Sequence, residues 1–385
     1  MRRTRPNAMC IPNLAGVECP VNSKIYPYRF LGEKLMKILV TGGTGRIGSN
    51  LVKKLLEKGH TIRSFVYPGD VNRVGRWDGT GDVETVLGDL REYDDVKKAV
   101  KGVDAIYHIA AAFGGPFDNR QYLAINGMGT LNILECVREF NPNIHRLVYA
   151  CTEAIYWELT EKGRLFDQRI TEDMVAKYHH MPYFLTKWIG EELCMTYHHQ
   201  YGIPSTVFRF TTVIEPSEYL NEDGLPRQFL FSPIYNRYKN YTGNDPAELE
   251  AANTVKGLWD GTEKFILKRN PDGRPYKEHF TDVRDIVQGL VLGIEKDAAV
   301  GEEFTLGGNG VFKHEEAIPY LCERYQMDSV DVQLPQPVYF EFDLSKIKTL
   351  LDYEPQHNLA SILDAAEAMR RGQDVGIIPT GLRWS

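Results

Sequence analysis

The sequence of 385 residues lacks several features that mark specialised classes of protein. No segment approaches the run of about 18 to 20 apolar residues that crosses a bilayer, and the charged N-terminus has no apolar signal region. The six cysteines show no CxxC spacing, which argues against a disulfide framework or a structural zinc site. We therefore expect a cytoplasmic protein with reduced thiols and no membrane partner.

An excess of positive charge is also missing, since the formal net charge is −7. This charge gives no electrostatic reason to expect a nucleic acid as partner, and a small polar metabolite fits better. Two adjacent histidine pairs, His179-His180 and His198-His199, have no third ligand at a recognisable spacing. Because neighbouring residues on a helix point in different directions, we expect no metal site.

Short apolar runs alternate with helical patterns from residue 37 onward, as in KILVTG followed by IGSNLVKKLLEKG. This alternation is typical of a parallel sheet covered by helices on both faces. It predicts an α/β fold, a Rossmann-type doubly wound parallel sheet with a smaller, discontinuous C-terminal substrate-binding domain. The predicted divisions are an N-terminal arm (1–36), the dinucleotide-binding domain (37–215, with a returning segment at 276–310), the lid domain (216–275 and 311–375) and a tail (376–385).

The first chemical motif is TGGTGRIG at 41–48, between a predicted strand and a predicted helix. Its glycines, Gly42, Gly45 and Gly48, allow a tight turn and a close approach to a pyrophosphate at the helix N-terminus. A glycine triplet alone is weak evidence, but this one lies between a predicted strand and a predicted helix, which is the context that a dinucleotide-binding turn requires. The motif predicts dinucleotide binding, with Thr44, Arg46 and Ile47 in the same turn.

Polar side chains also occur where later strands end. Asp89, followed by Leu90, could accept a hydrogen bond from an adenine amino group, or simply cap a helix. Thr152 ends the fifth strand, where its hydroxyl could bind a substrate oxygen. Asn126 lies in a predicted helix and could organise the active site, although a solvated polar position is equally compatible with the pattern.

Tyr183 and Lys187 in YFLTK are one helical turn apart on the same face. A neighbouring ammonium favours phenolate, which would lower the pKa of a tyrosine toward the range of acid and base catalysis. Such a pair often occurs by chance. Downstream of the glycine motif and Thr152, it indicates a proton-handling centre.

Together these motifs resemble the extended short-chain dehydrogenase/reductase family, also called the NAD-dependent epimerase/dehydratase family, over about residues 37–370. Further matches are GDL at 88–90, IAAA at 109–112, Glu191 after YFLTK, FRFTTVIEP at 208–216, HFTDVRD at 279–285 and FDLSKIKTLLDYEP at 342–355. The resemblance implies hydride transfer, with Tyr183 as acid/base, Lys187 on the nicotinamide ribose, Thr152 on the reacting oxygen and Asn126 in support. It also implies cofactor contacts from Tyr67, Asp89, Leu90, Ala110, Ala111 and Phe210, and a homodimer formed by the helices around 118–140 and 183–200.

Departures from the family pattern bear on the substrate. Family dehydratases carry an Asp-Glu pair where this chain has Glu153 and Ala154, so dehydration loses favour. Thr212 and Glu278 stand where many nucleotide-sugar enzymes have Asn and Arg, and a glutamate would repel a diphosphate, although Lys277 next to it keeps such substrates open. We predict a dehydrogenase or reductase for a small hydroxyl or carbonyl compound, contacted by Phe113, Glu153, Tyr156 and Thr212. A sugar or nucleotide-sugar epimerase is the alternative, and a non-catalytic nucleotide sensor is less favoured.

The end of the second predicted strand bears on the choice between NAD and NADP. NAD-preferring members generally place an acidic residue there, whereas this chain has Val66 and Tyr67. No carboxylate is placed to reject a 2′-phosphate, and Arg46 could help bind one. The sequence therefore slightly favours NADP.

Overall fold

The computed structural model describes residues 35–79, 81–159 and 163–380. The predicted N-terminal arm lies outside the described residues except for its last two, and so do the last five residues of the predicted tail. The described residues belong to one compact unit.

Fourteen strands are defined in the described part of the chain. They are β1 (Lys37–Thr41), β2 (Thr61–Val66), β3 (Val83–Leu87), β4 (Ala105–His108), β5 (Arg146–Thr152), β6 (Arg164–Leu165), β7 (Ser205–Phe210), β8 (Thr212–Ile214), β9 (Phe265–Arg269), β10 (Lys277–Asp282), β11 (Glu302–Leu306), β12 (Val311–Lys313), β13 (Ser329–Gln333) and β14 (Val338–Tyr339).

The α-helices are α1 (Arg46–Glu57), α2 (Tyr93–Val100), α3 (Asn119–Tyr122), α4 (Gly129–Phe140), α5 (Pro182–Tyr201), α6 (Phe231–Tyr238), α7 (Pro246–Leu258), α8 (Val283–Glu295), α9 (His314–Tyr325), α10 (Ser345–Leu351) and α11 (Leu359–Arg370). A π-helical turn (Leu123–Met128) joins α3 to α4, and 3₁₀ turns cover Pro68–Trp77, Glu153–Tyr156, Pro216–Glu218, Arg227–Phe229 and Asp297–Ala299. None of these helices combines the length and apolar character needed to cross a membrane.

The large sheet has seven parallel strands in the order β3-β2-β1-β4-β5-β7-β11. Its central strand β1 buries Ile38, Leu39 and Val40 almost completely, as expected for an apolar strand with helices on both faces. The predicted α/β fold with a Rossmann-type sheet is therefore confirmed.

Smaller sheets lie downstream of the large one. One contains β12, β10, β14 and β6 in that order, with β8 paired to β10, and the other pairs β9 with β13. Within the predicted returning segment (276–310), β10 belongs to the smaller sheet and β11 to the large one. The chain crosses between the sheets in one residue, Thr211, between β7 and β8.

The carboxyl ends of parallel strands meet at one edge of a sheet. In the strand register Thr41 lies beside His108, and Thr152 lies beside Phe210. This edge therefore brings together the glycine motif, the 109–112 segment, Thr152 and the crossing at Thr211.

Candidate active site

The loop between β1 and α1 is built for close backbone approach. Gly42 has a φ of +73°, in the left-handed region that favours glycine, and a Cβ there would lie 2.7 Å from the Ala110 nitrogen. A Cβ on Gly48 would lie 2.0 Å from the Gly42 oxygen. Gly45 precedes α1 and no side chain caps the helix, so its first N–H groups are available to an anion. These residues fit the pyrophosphate of a dinucleotide.

The other predicted cofactor residues lie along the same edge of the sheet. Tyr67 is exposed at the end of β2, and the Asp89 carboxylate is ion-paired with Arg91. Leu90 and Phe210 are buried, and the Ala110 nitrogen donates to the Thr41 hydroxyl at 3.2 Å. Thr44 and Ile47 lie in the glycine turn, and Ala111 follows Ala110 in the loop after β4.

The Arg46 guanidinium is bound by a carboxylate that the sequence did not reveal as its partner. It donates to the Glu218 carboxylate through Nε at 2.9 Å and Nη2 at 2.6 Å. A contact between Arg46 and a 2′-phosphate therefore stays a prediction.

Tyr183 and Lys187 lie on the first turns of α5, which begins with Pro182, a residue suited to the first position of a helix. The Tyr183 ring is half-buried and lies 5.0 Å from the ring of Phe113 and 6.5 Å from that of Tyr122, between ring centroids. Lys187 is buried, and its ammonium lies 4.3 Å from the centroid of the Tyr149 ring. The pair sits beside the end of β5, as the family resemblance implies.

The pKa shifts of Tyr183 and Lys187 differ from those that the sequence predicted. Burial raises the pKa of Tyr183, Cys151 adds to the rise, and the neighbouring Thr152 hydroxyl opposes it. Burial also lowers the pKa of Lys187 to about 8. The expected lowering of the Tyr183 pKa is therefore wrong for this structure, since burial raises that pKa and Lys187 is not among the groups that shift it. Tyr183 keeps its proton at neutral pH.

Thr152 and Asn126 lie close to this pair. The Thr152 hydroxyl accepts from the Ala154 nitrogen at 3.2 Å and is near enough to Tyr183 to oppose the rise in its pKa. Asn126 is buried in the π-helical turn, where its Oδ1 accepts from the Ala112 nitrogen at 2.7 Å and its Nδ2 donates to Thr186 at 3.0 Å. Asn126 therefore acts as a positioning residue that ties α5 to the loop after β4.

The four predicted substrate residues separate into two groups. Phe113 packs against Tyr183 at the cleft, and Thr212 donates its hydroxyl to Glu153 Oε1 at 2.6 Å. Tyr156 lies instead in the core, where its hydroxyl contacts Thr305 at 3.0 Å and Arg209 at 2.7 Å. Its predicted contact with substrate is therefore wrong, because the 3₁₀ turn after Thr152 directs this side chain inward.

The sequence interpretation missed a cluster in which the tail meets the glycine motif. Arg76 donates to the carbonyl oxygens of Thr44 and Thr380, and the Thr380 hydroxyl donates to Glu218. The backbone of Ile378 also exchanges two hydrogen bonds with the Asn50 side chain, at 2.8 and 3.3 Å. The available signal was Glu215 at the glycine position of the family's YGP segment, since its carboxylate accepts from the Thr380 nitrogen. We call residues 377–380 the tail clamp.

No group of three histidine, cysteine or acidic side chains is arranged to hold a metal ion within residues 35–79, 81–159 and 163–380. Of the adjacent histidines, His180 lies 3.0 Å from the Glu158 carboxylate. Cys151 is buried with a raised pKa, owing to burial first and then to Glu191, which argues against a reactive thiolate.

A glycine turn, a strand-end threonine and a Tyr/Lys pair at one edge of a Rossmann-type sheet define an enzyme that binds a nicotinamide dinucleotide. Residues 38–307 match the model of the NAD dependent epimerase/dehydratase family. The chain belongs to this family, which confirms the resemblance to extended short-chain dehydrogenases/reductases.

Named relatives span nearly the whole chain. It is 28% identical to an uncharacterized UDP-glucose epimerase, YtcB, of Bacillus subtilis, over 84% of this chain and 94% of the relative. A short-chain dehydrogenase/reductase superfamily protein of Agrobacterium tumefaciens, solved with bound NAD, is 28% identical with a TM-score of 0.72, over 87% and 97% of the two chains. UDP-glucuronic acid 4-epimerase of Bacillus cereus, in complex with UDP-glucuronic acid and NAD, shares the fold with a TM-score of 0.63 at 23% identity, over 87% and 99% of the two chains.

Proposed function

We propose that this enzyme transfers a hydride between a nicotinamide cofactor and a small substrate that carries a hydroxyl or carbonyl group. The observation that carries the proposal is the position of Tyr183 on α5, one turn before the buried Lys187 and beside Thr152 at the end of β5. When bound, the nicotinamide ring supplies or accepts the hydride. The glycine turn and Lys187 would hold the cofactor.

Each residue has a defined task in the reducing direction. Tyr183, which keeps its proton because burial raises its pKa, donates that proton to the substrate oxygen as the alkoxide forms. The Thr152 hydroxyl donates a second hydrogen bond to the same oxygen. In the oxidising direction Tyr183 must lose its proton first, so positive charge from the bound cofactor is needed in addition to Lys187.

The charges near Glu278 favour a substrate without a diphosphate. Burial alone would raise the pKa of Glu278, but His314, 3.4 Å away, and Lys268 keep it below its ordinary value. Glu278 therefore remains an anion, which repels phosphate. The sequence kept nucleotide sugars as possible substrates because Lys277 could offset the charge of Glu278. In the structure the Lys277 ammonium lies 3.5 Å from the Glu341 carboxylate.

The test is hydride transfer by the purified protein with a panel of alcohols, sugars and ketones, followed through NADH absorbance. Substituting Tyr183→Phe should lower the turnover of any substrate found by about 100-fold to 10,000-fold and leave cofactor binding in place. Tyr178→Phe is the matched control, since Tyr178 is exposed. Undiminished turnover by Tyr183→Phe would remove the assignment.

A sugar epimerase is the second candidate, because a relative that spans nearly the whole chain is named as a UDP-glucose epimerase. An epimerase returns the hydride to the same carbon, so its cofactor remains bound and unchanged overall. Incubation with UDP-glucose separates the two functions: epimerisation without accumulation of NADH would favour the second.

For the cofactor we propose NAD rather than NADP. The support is the engagement of Arg46 by Glu218, which removes the cation that favoured a 2′-phosphate. Arg46→Ala should change the ratio of the NAD and NADP dissociation constants by less than about threefold, since the Arg46 guanidinium already binds the buried Glu218 carboxylate. A larger shift toward NAD, measured by titration calorimetry, would restore a role for Arg46 in NADP binding.

We also propose a homodimer. The region predicted to pair two copies exposes large apolar side chains on neighbouring elements, namely Leu123, Met128, Leu185 and Tyr201. Exposed large apolar side chains are typical of surfaces that contact another protein. Sedimentation equilibrium of the full chain tests this proposal, and a monomer at micromolar concentration would contradict it.

A further inference from the structure

Three aromatic side chains from the loop after β4 and from α3 form a connected group beside Tyr183. The Phe113 ring lies 5.0 Å from the Tyr183 ring, and the Tyr122 ring lies 6.5 Å from it, between ring centroids. Phe117 extends the group, since its ring is 5.7 Å from that of Tyr122. We call Phe113, Phe117 and Tyr122 the aromatic rim. Each member is joined to the proposed proton donor directly or through one other ring.

The aromatic rim is accessible to solvent. Phe113 is 58% exposed and Phe117 is 38% exposed, and the Tyr183 ring that they adjoin is half-buried. Phe208 and Phe229, by contrast, are completely buried in the core. Contact between large apolar rings and water is unfavourable, and neighbouring apolar side chains left at the surface are typical of a binding groove or a protein contact.

The loop that carries the two phenylalanines is anchored at both ends. At its start the Ala112 nitrogen donates to Asn126 Oδ1 at 2.7 Å, and Asn126 Nδ2 donates to the Ala112 oxygen at 3.2 Å. At its end Asp118 and Gln121 form a capping box at the start of α3, with two hydrogen bonds of 2.8 Å. Rings on an anchored loop have less freedom to lose when a ligand binds, so the rim is a preformed surface.

The position of Tyr183 decides which kind of ligand suits this surface. A substrate that receives a proton from Tyr183 must bring its oxygen within hydrogen-bond distance of the tyrosine hydroxyl. A group bonded to the reacting carbon is then held near the rings that adjoin Tyr183. Loss of water from both surfaces stabilises an apolar group there, whereas a hydroxylated group gives up hydrogen bonds to water that rings do not replace.

We propose that the aromatic rim is a substrate subsite for an apolar ring, aryl or cycloalkyl, bonded to the reacting carbon, and that Phe113 is its specificity-determining residue. The substrate class is then a ketone or secondary alcohol that carries such a ring. The inference rests on the proposed function for the role of Tyr183, and it names the group that the substrate presents beside its reacting oxygen.

The test measures dissociation constants of matched ketones for the full-length protein saturated with NAD, by ligand-observed NMR. Ketones do not react with the oxidised cofactor, so binding is separated from turnover. Acetophenone and cyclohexyl methyl ketone carry a ring, butanone lacks one, dihydroxyacetone carries hydroxyls instead, and UDP-glucose is the charged comparison. The ring ketones should bind at least about tenfold more tightly than the other three probes, which corresponds to burial of about 55 Å² of apolar surface.

Substitutions within the rim isolate its contribution. Phe113→Ala should reduce the preference for ring ketones over butanone by about fivefold to tenfold, whereas Phe113→Tyr keeps the ring and should retain the preference. Phe117→Ala removes a ring farther from the proton donor and should reduce the preference by less than about threefold. Leu350→Ala is the matched control, because it removes an apolar side chain that is 39% exposed on α10, and it should leave every dissociation constant unchanged.

An equal preference for ring ketones in Phe113→Ala and the natural protein would overturn the proposal. Tightest binding of dihydroxyacetone or UDP-glucose by the natural protein would do the same. Sedimentation of Phe113→Ala adds a further check: a changed oligomeric state with unchanged ketone affinities would assign the rim to a protein contact and overturn the subsite.

A turnover assay with NADH separates this inference from the proposed function. If the ring ketones bind as expected but none of them is reduced, the proposed function fails and the subsite stands. If butanone and dihydroxyacetone are reduced as efficiently as the ring ketones in every variant, the subsite fails and the proposed function stands.

Discussion

Two buried glutamates flank the catalytic region, and their partners differ. Glu191, on α5, receives Arg209 Nε at 3.1 Å and Nη2 at 2.5 Å, and both side chains are almost inaccessible. In the described part of the chain, the Thr212 hydroxyl is the side-chain partner of Glu153, and burial raises the pKa of this carboxyl group. The comparison shows that burial alone does not fix the environment of a carboxyl group: a guanidinium holds Glu191 as part of the scaffold, whereas Glu153 has no ion-pair partner among the described residues and its pKa is raised.

Removing the carboxylate of Glu191, which is paired with Arg209, should have the largest effect on stability. Glu191→Ala leaves the Arg209 guanidinium buried without its counter-charge, which we expect to lower the free energy of unfolding by about 3 to 5 kcal/mol. Chemical denaturation measures this change. Glu192→Ala, at the exposed neighbouring position, is the control and should change stability by less than about 0.5 kcal/mol. Equal effects would show that the ion pair is not what distinguishes the two glutamates.

The unpaired carboxyl group should make stability depend on pH. Below pH 4.5 Glu153 is protonated in the folded and unfolded chains, and between 4.5 and about 8 only the folded chain keeps the proton. The contribution of Glu153 to the free energy of unfolding is therefore present at low pH and lost as the pH rises to about 8. Relative to Glu153→Gln, the free energy of unfolding of the natural protein should fall by on the order of 3 kcal/mol between pH 5 and 9.

Denaturation of both proteins across this pH range measures the difference. The comparison with Glu153→Gln cancels the titration of Lys187 and of other shared groups. A constant difference in the free energy of unfolding would show that Glu153 titrates alike in the folded and unfolded chains.

Removing the Thr212 hydroxyl, which hydrogen-bonds to Glu153, should have a smaller effect on the pH dependence of stability. Thr212→Val deletes a hydrogen bond that lowers the pKa of Glu153, so the pH at which stability is lost should rise by up to about one unit. In the double variant Glu153→Gln, Thr212→Val no such midpoint should remain. An unchanged midpoint in the single variant would show that Thr212 does not set the protonation of Glu153.

The sequence predicted the large sheet well, for a physical reason, and the proton-handling role of Tyr183 and Lys187 stays a prediction. Apolar strands, glycine turns and the spacing of Tyr183 and Lys187 are local patterns, and each of them restricts the fold strongly. The family model that matches residues 38–307 confirms the resemblance.

The same local patterns could not predict contacts between residues that are far apart in the sequence. Arg46 pairs with Glu218, 172 positions away, and no local rule links them. Tyr156 was expected at the substrate but turns inward to Arg209, since the direction of a side chain after a strand depends on the following turn. The raised pKa of Tyr183 also follows from burial, which a spacing of four residues does not report.

The tail clamp bears on how the protein should be produced. Thr380 and Ile378 bond to residues beside the glycine turn. A shortened version that stopped before residue 377 would lose these contacts next to the proposed nucleotide site. Weak cofactor binding by such a version would therefore reflect the missing tail clamp and would not be a property of the whole enzyme.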